Sequence, residues 1–152
     1  MILEHGNMWS ILGETDGFCI TTNSNVRTDG ALVMGRGIAR EARDRFPDLA
    51  YKAGAWILEH CGSNGKYGLL NMGKFGTNAC ILLFQVKYLW SDNADLELIK
   101  NATRELKATA EKYPQKRFDL NYPGIGNGKL QLRNVQPLLE TLPDNVHVWR
   151  FV

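Results

Sequence analysis

Two glycine-rich segments hold the residues of this 152-residue chain best suited to chemistry: Val33-Met34-Gly35-Arg36-Gly37-Ile38-Ala39 and Tyr122-Pro123-Gly124-Ile125-Gly126-Asn127-Gly128-Lys129. Each follows a stretch that reads as a strand and precedes one that reads as a helix, an arrangement that turns backbone N–H groups toward an anion. Glycine removes the side chains that would hold a phosphate off the backbone, and it permits positive φ in the turn. Taken singly, such a segment is more often a structural turn than a phosphate site. Two in matching positions point to a diphosphate cradled from both sides. Neither segment is a Walker loop and neither completes the dinucleotide fingerprint, which argues against ATP or NAD held in the usual way.

Other candidate residues stand beside these loops. Lys87 closes an apolar run, where desolvation lowers a lysine pKa; the plain alternative is a strand-end lysine in solvent, or one that merely neutralises a phosphate. Asn23 ends another run and, taken alone, reads as a turn cap. His5, His60 and His147 are scattered without ligand spacing, and so are Cys19, Cys61 and Cys80. No metal site is expected, and the thiols read as buried in a reducing compartment. Trp9, Trp56 and Trp149 read as packing, whereas Trp90, just after Lys87, is open to a ligand role. Arg40, Arg43 and Arg45 read as a solvated helix face, and Arg36 is placed to meet a phosphate or a nucleic-acid substrate.

The elements that must position these residues alternate along the chain. Strands are expected at Met1 to Gly6 and Gly17 to Thr22, the second rich in β-branched and aromatic residues and followed by a polar loop from Asn23 to Gly30. A helix from Gly35 to Phe46 carries Ile38, Ala42 and Phe46 on one face and stops at Pro47. Another spans Leu49 to Cys61. Strands follow at Tyr67 to Met72 and Ala79 to Lys87, the latter apolar enough to lie centrally. Asp95 to Tyr113 is a helix closed by Pro114, Arg117 to Tyr122 a strand, Asn134 to Leu142 a short helix with an awkward Pro137, and Asn145 to Phe151 a last strand. Interleaving of this kind predicts an α/β domain, its mixed sheet sandwiched between helices and its ligand loops beyond the carboxyl ends of the strands.

Length and composition bound the reading. At 152 residues, 44% hydrophobic and 22% charged, the chain fits one folded domain spanning 1–152. A net charge of +2 falls well short of the basic field of an obligate nucleic-acid binder, leaving nucleic acid open as a substrate without implying it. There is no signal-peptide pattern and no membrane-length apolar run, so a soluble cytoplasmic protein, a monomer by default, is expected.

The segments together resemble the macro domains, in particular the branch containing terminal ADP-ribose protein glycohydrolase and the DNA-ADP-ribosyl glycohydrolase antitoxins. Met34-Gly35-Arg36-Gly37-Ile38-Ala39, with the helix ending Arg45-Phe46-Pro47, is similar to that branch's first phosphate loop. Phe84-Gln85-Val86-Lys87-Tyr88-Leu89-Trp90 resembles its strand ending in a lysine, and Pro123 to Gly128 its second loop. The resemblance covers nearly the whole chain and implies a three-layer α/β/α macro domain that binds ADP-ribose without a further cofactor. It implies that Asn7 and Met8 meet the adenine and Asn23 the distal ribose. Met34, Gly35, Arg36, Gly37 and Ile38 would then face Gly124, Ile125, Gly126, Asn127 and Gly128 across the diphosphate. It also implies that Lys87 acts at the anomeric carbon of the distal ribose, as nucleophile or as stabilising charge.

Two departures from that branch matter. Gly128 is followed by Lys129-Leu130-Gln131, where the protein glycohydrolase has an acidic residue. The first loop is longer, with Arg27, Thr28 and Asp29 inserted, and Asp29 is a candidate replacement for the missing carboxylate. Three functions therefore stay open. The first is a hydrolase that removes ADP-ribose from DNA or protein through Lys87. The second is a phosphatase of ADP-ribose 1''-phosphate assisted by Asn23 or Asp29, and the third a non-catalytic reader of ADP-ribose.

Overall fold

The computed structural model describes residues 1–151. Six strands, β1 (Ile2–His5), β2 (Gly17–Thr22), β3 (Leu69–Lys74), β4 (Cys80–Gln85), β5 (Phe118–Asn121) and β6 (Val146–Arg150), form one sheet in the order β1-β6-β5-β2-β4-β3. All neighbouring pairs are parallel except β3 with β4. The sheet is therefore mixed, and the carboxyl ends of five strands, β1, β6, β5, β2 and β4, lie along one edge.

Alternation along the strands divides two apolar cores. Phe18 and Ile20 of β2 and Ile81 and Leu83 of β4 face α1 (Gly37–Arg45) and α2 (Leu49–His60), meeting Ala42, Leu49, Ala53 and Ile57. Cys19, Leu82 and Phe84 face the other way, onto Ile99, Ala102 and Leu106 of α3 (Leu96–Lys112) and Val135 and Leu139 of α4 (Leu132–Leu139). Fully burying a large side chain such as Phe84 or Ile81, both 0% exposed, contributes about 1.5–3 kcal/mol. The result is a three-layer α/β/α sandwich.

Local signals set the boundaries. Asp95 caps α3 by accepting from the N–H groups of Glu97 and Leu98. α1 begins at Gly37, two residues later than its apolar period suggests, because Arg36 is extended at φ −142°, ψ 153°. Gly35 and Arg36 are thereby left in the loop. α4 begins two residues early and retains Pro137 because its buried residues, Val135 and Leu139, need only one face of a short helix. The strand carrying Leu83 is an interior strand, as expected: β4 pairs with β2 on one side and with the edge strand β3 on the other. That position, together with burial of both faces by helices, explains its unbroken apolar sequence. No helix among the described residues is long and apolar enough to cross a membrane.

Candidate functional site

A cleft of about 690 Å³ runs along the carboxyl ends of the five parallel strands, within the size range of small-molecule sites. Four strand spacings make its length about 19 Å. The order of strands fixes its two ends. Gly6, Asn7 and Met8 beyond β1 and Trp149, Arg150 and Phe151 at the end of β6 form one; Asn23 beyond β2 and Val86, Lys87 and Trp90 beyond β4 form the other.

The two glycine segments line the middle of the cleft. Gly35, Arg36, Gly37 and Ile38 lead into α1, and Gly124 through Gly128 lead through a short 3-10 turn toward α4. Gly124 has φ +80°, and a Cβ there would lie 2.6 Å from Ile99 Cδ1. Only glycine can make that turn against α3. Asn7 caps the 3-10 turn Met8–Ile11, its Oδ1 accepting from Trp9 N at 3.0 Å. One lone pair of that oxygen is thus already used, which bears on what Asn7 can offer a ligand.

At the opposite end, Asn23 is 9% exposed and wedged between loop strands. Its Nδ2 donates to Val33 O at 3.0 Å and its Oδ1 accepts from Asn25 N at 2.9 Å, leaving one amide hydrogen and one lone pair. Lys87 Nζ donates to the main-chain oxygens of Asp92 at 3.0 Å and Trp90 at 3.3 Å. Burial lowers its pKa first, and the positive charges of Arg36 and Lys129 lower it further against the opposing pull of Asp92. Arg36 lies over the Trp90 ring, 5.4 Å from its centre, which ties the first loop to the turn after β4.

Two candidate residues stand outside this lining. Asp29 holds its own turn: Oδ1 accepts from Ala31 N at 3.2 Å, and Oδ2 meets Arg27 at 3.4 Å and Tyr51 Oη at 3.4 Å. It does not line the cleft, so the carboxylate that the longer loop offered is engaged elsewhere. Met34 is 2% exposed and packs into the core against α1 and α2. Among the described residues Glu41 is the one acid lining the cleft.

Sequence reasoning passed over Thr21, Thr22, Asn121, Arg150 and Phe151 and read Trp9 and Trp149 as packing alone, yet all of them line the cleft. Asn121 joins β5 to β2 at their carboxyl ends, Nδ2 donating to Thr21 Oγ1 at 2.8 Å and Oδ1 accepting from Thr21 N at 3.0 Å. Trp149 is oriented by the buried Asp119, which accepts from its Nε1 at 2.7 Å. Their signal was available in principle, since polar residues closing apolar strands in a parallel sheet face the ligand edge. No group of histidine, cysteine and acidic residues capable of holding a metal occurs among the described residues. Cys19 and Cys61 are buried and Cys80 half-buried.

No protein-family model and no curated protein sequence matches the chain. Solved structures do. The macrodomain of Thermus aquaticus DarG superposes with a TM-score of 0.71 at 23% identity, covering 99% of this chain and 97% of that one. The macrodomain of Mycobacterium tuberculosis DarG gives 0.70 at 20% identity, over 97% of each chain. Thermosipho africanus DarTG in complex with ADP-ribose gives 0.70 at 20% identity, covering 100% of this chain and 42% of that one. The chain has the macrodomain fold.

Proposed function

We propose that the cleft binds ADP-ribose and that the protein is a hydrolase releasing ADP-ribose from DNA or protein by cleavage at C1'' of the distal ribose. The observation that carries this reading is the single cleft itself. It has a glycine loop on each side of its middle, an amide and a wall of aromatics at one end, and a lysine of lowered pKa at the other. A dinucleotide-sized ligand with a central diphosphate fits that order. The fold-mate from Thermosipho africanus holds ADP-ribose, and the charge and spacing of the cleft suit the same ligand here.

Adenine lies, in this reading, between Asn7 and Met8 and the exposed ring of Phe151, 83% accessible and lining the cleft. Covering such a ring by a base buries apolar area and adds stacking. The backbone N–H groups of the two loops receive the diphosphate. Lys87, when neutral, forms a bond from Nζ to C1'' as the bond from C1'' to the DNA or protein group breaks. Its displaced proton leaves with that group, and water then frees the lysine. When charged, Lys87 instead stabilises negative charge on the departing atom.

One observation favours a second reaction at the same site. Arg36 and Lys87 line the distal end and Lys129 adds to the positive field there, more charge than the ribose demands, and a phosphate on C1'' would meet it. Hydrolysis of ADP-ribose 1''-phosphate is the second reading.

Calorimetric titration with ADP-ribose, against NAD and ATP, tests the ligand. Selective binding of ADP-ribose is expected, and equal or absent binding removes the reading. Turnover of ADP-ribosylated DNA, ADP-ribosylated protein and the 1''-phosphate then separates the reactions. Lys87→Ala is expected to abolish removal of ADP-ribose while retaining binding. Binding without turnover of any of the three leaves a reader of ADP-ribose.

A further inference from the structure

Behind the distal end of the cleft lies a set of polar side chains that reach no ligand. Tyr67 precedes β3 and is 8% exposed. Its hydroxyl donates to Asn23 O at 2.6 Å and also meets Thr22 Oγ1. Tyrosine has one hydroxyl proton, and Asn23 O can only accept, so the Thr22 hydroxyl is the donor in the second contact. Burial raises the Tyr67 pKa, keeping that proton in place.

Gln85 fastens the same segment from β4. It is 0% exposed, and its Oε1 accepts from Tyr67 N at 2.8 Å and Gly68 N at 3.2 Å. Its Nε2 donates to Gly65 O at 2.8 Å and Lys87 O at 3.4 Å. Residues 65–68 therefore form a bracket, tied through one amide to the backbone of Lys87 and through one phenol to the backbone of Asn23.

We propose that Tyr67 and Gln85 are positioning residues that set Asn23 and Lys87 relative to each other at the distal-ribose end of the cleft. This rests on the ADP-ribose reading and adds to it which residues, none of them touching the ligand, fix the reacting end. Neither side chain lines the cleft, so neither acts on the ligand directly. Both groups are fully partnered in a buried setting, where a lost partner leaves donors and acceptors unsatisfied and the backbone shifts to repair them. A shift at Asn23 and Lys87 alters contact with the distal ribose first; it reaches the first glycine loop only through the Asn23 side chain on Val33 O, and the adenine end, which shares no bond with either residue, stays where it is.

The test compares ADP-ribose with ADP, which lacks the distal ribose, as calorimetric ligands of the whole chain. In the wild-type protein ADP-ribose is expected to bind more tightly than ADP. Tyr67→Phe is expected to leave ADP affinity within about twofold and to weaken ADP-ribose about fivefold, as for one lost buried hydrogen bond. Gln85→Met, which loses the bracket from the other side, is expected to lower the same ratio. A drop in thermal stability with an unchanged ratio in a folded variant overturns the proposal, because it reduces the bracket to a part of the fold. Equal wild-type affinities for ADP-ribose and ADP overturn instead the ligand reading beneath it.

Discussion

The Lys87 ammonium donates to the main-chain oxygen of Asp92 at 3.0 Å, while the Asp92 carboxylate accepts from Leu89 N at 3.2 Å. The lysine is held by carbonyls, and burial first, then the cations Arg36 and Lys129, depress its pKa. Between that lowered value and the ordinary 10.5 the unfolded chain binds more protons than the folded one, so stability rises with pH through this window. Lys87→Met removes the titration. Its melting temperature is expected to equal or exceed that of the wild type at pH 7, and its advantage to shrink as pH approaches 10.5. A variant that is less stable at pH 7 and gains nothing relative to wild type as pH changes refutes the assignment.

Asn7 has a single amide oxygen, already engaged by Trp9 N at 3.0 Å. Asn7→Asp supplies a second oxygen and a negative charge, so one oxygen can keep the cap while the other accepts from the adenine amino group. ADP-ribose is expected to bind about five- to tenfold more tightly, as a charged acceptor replaces a shared neutral one. Titration of the variant checks this; unchanged or weaker binding places the adenine elsewhere.

Two glycines near the first loop are expected to behave oppositely. A Cβ on Gly54 of α2 would lie 1.9 Å from Gly30 O, whereas one on Gly35 meets nothing within 4 Å. Gly54→Ala is expected to cost about 2–3 kcal/mol, because helix and loop must separate. Gly35→Ala leaves the fold nearly untouched but presents a methyl to the ligand, so ADP-ribose binding falls at least about tenfold, the same strain being met in the complex. Chemical denaturation alongside titration separates the two effects.

Asp119, 0% exposed, accepts from Arg117 Nε at 3.0 Å and from Trp149 Nε1 at 2.7 Å. Asp119→Leu deprives both donors of a partner. The arginine reaches solvent at 33% exposure, so the cost is expected near about 3 kcal/mol, the low end for a broken buried pair. Since Trp149 lines the cleft, ligand affinity is expected to fall as well. Denaturation midpoints and titration together read both.

The sheet and its helices were legible because their signals are periodic. Gly17 to Thr22 was located to the residue, and the helix from Asp95 to Tyr113 carried its own cap and stop. The glycine loops, which line the cleft, were legible because glycine-rich turns between strand and helix are marked in the local sequence itself. Asp29 and Met34 illustrate what was not. Adjacency to a loop says nothing about side-chain direction, and here Asp29 turns to Ala31 and Tyr51 while Met34 drops into the core. Residues such as Asn121, Trp149 and Tyr67 are brought to the site by strand order and packing across the sheet, relations that no local window contains.

The pairing of β1 with β6 links Ile2–His5 to residues 147–150. During synthesis β1 therefore has no strand partner until β6 has left the ribosome, and until then Ile2 and Leu3 have no sheet to join. Gly6 to Met8 and Trp149 to Phe151, which form one end of the cleft, come together in that step. The nascent chain thus acquires its glycine segments and Lys87 before it acquires a complete cleft, which waits for the pairing of β6 with β1.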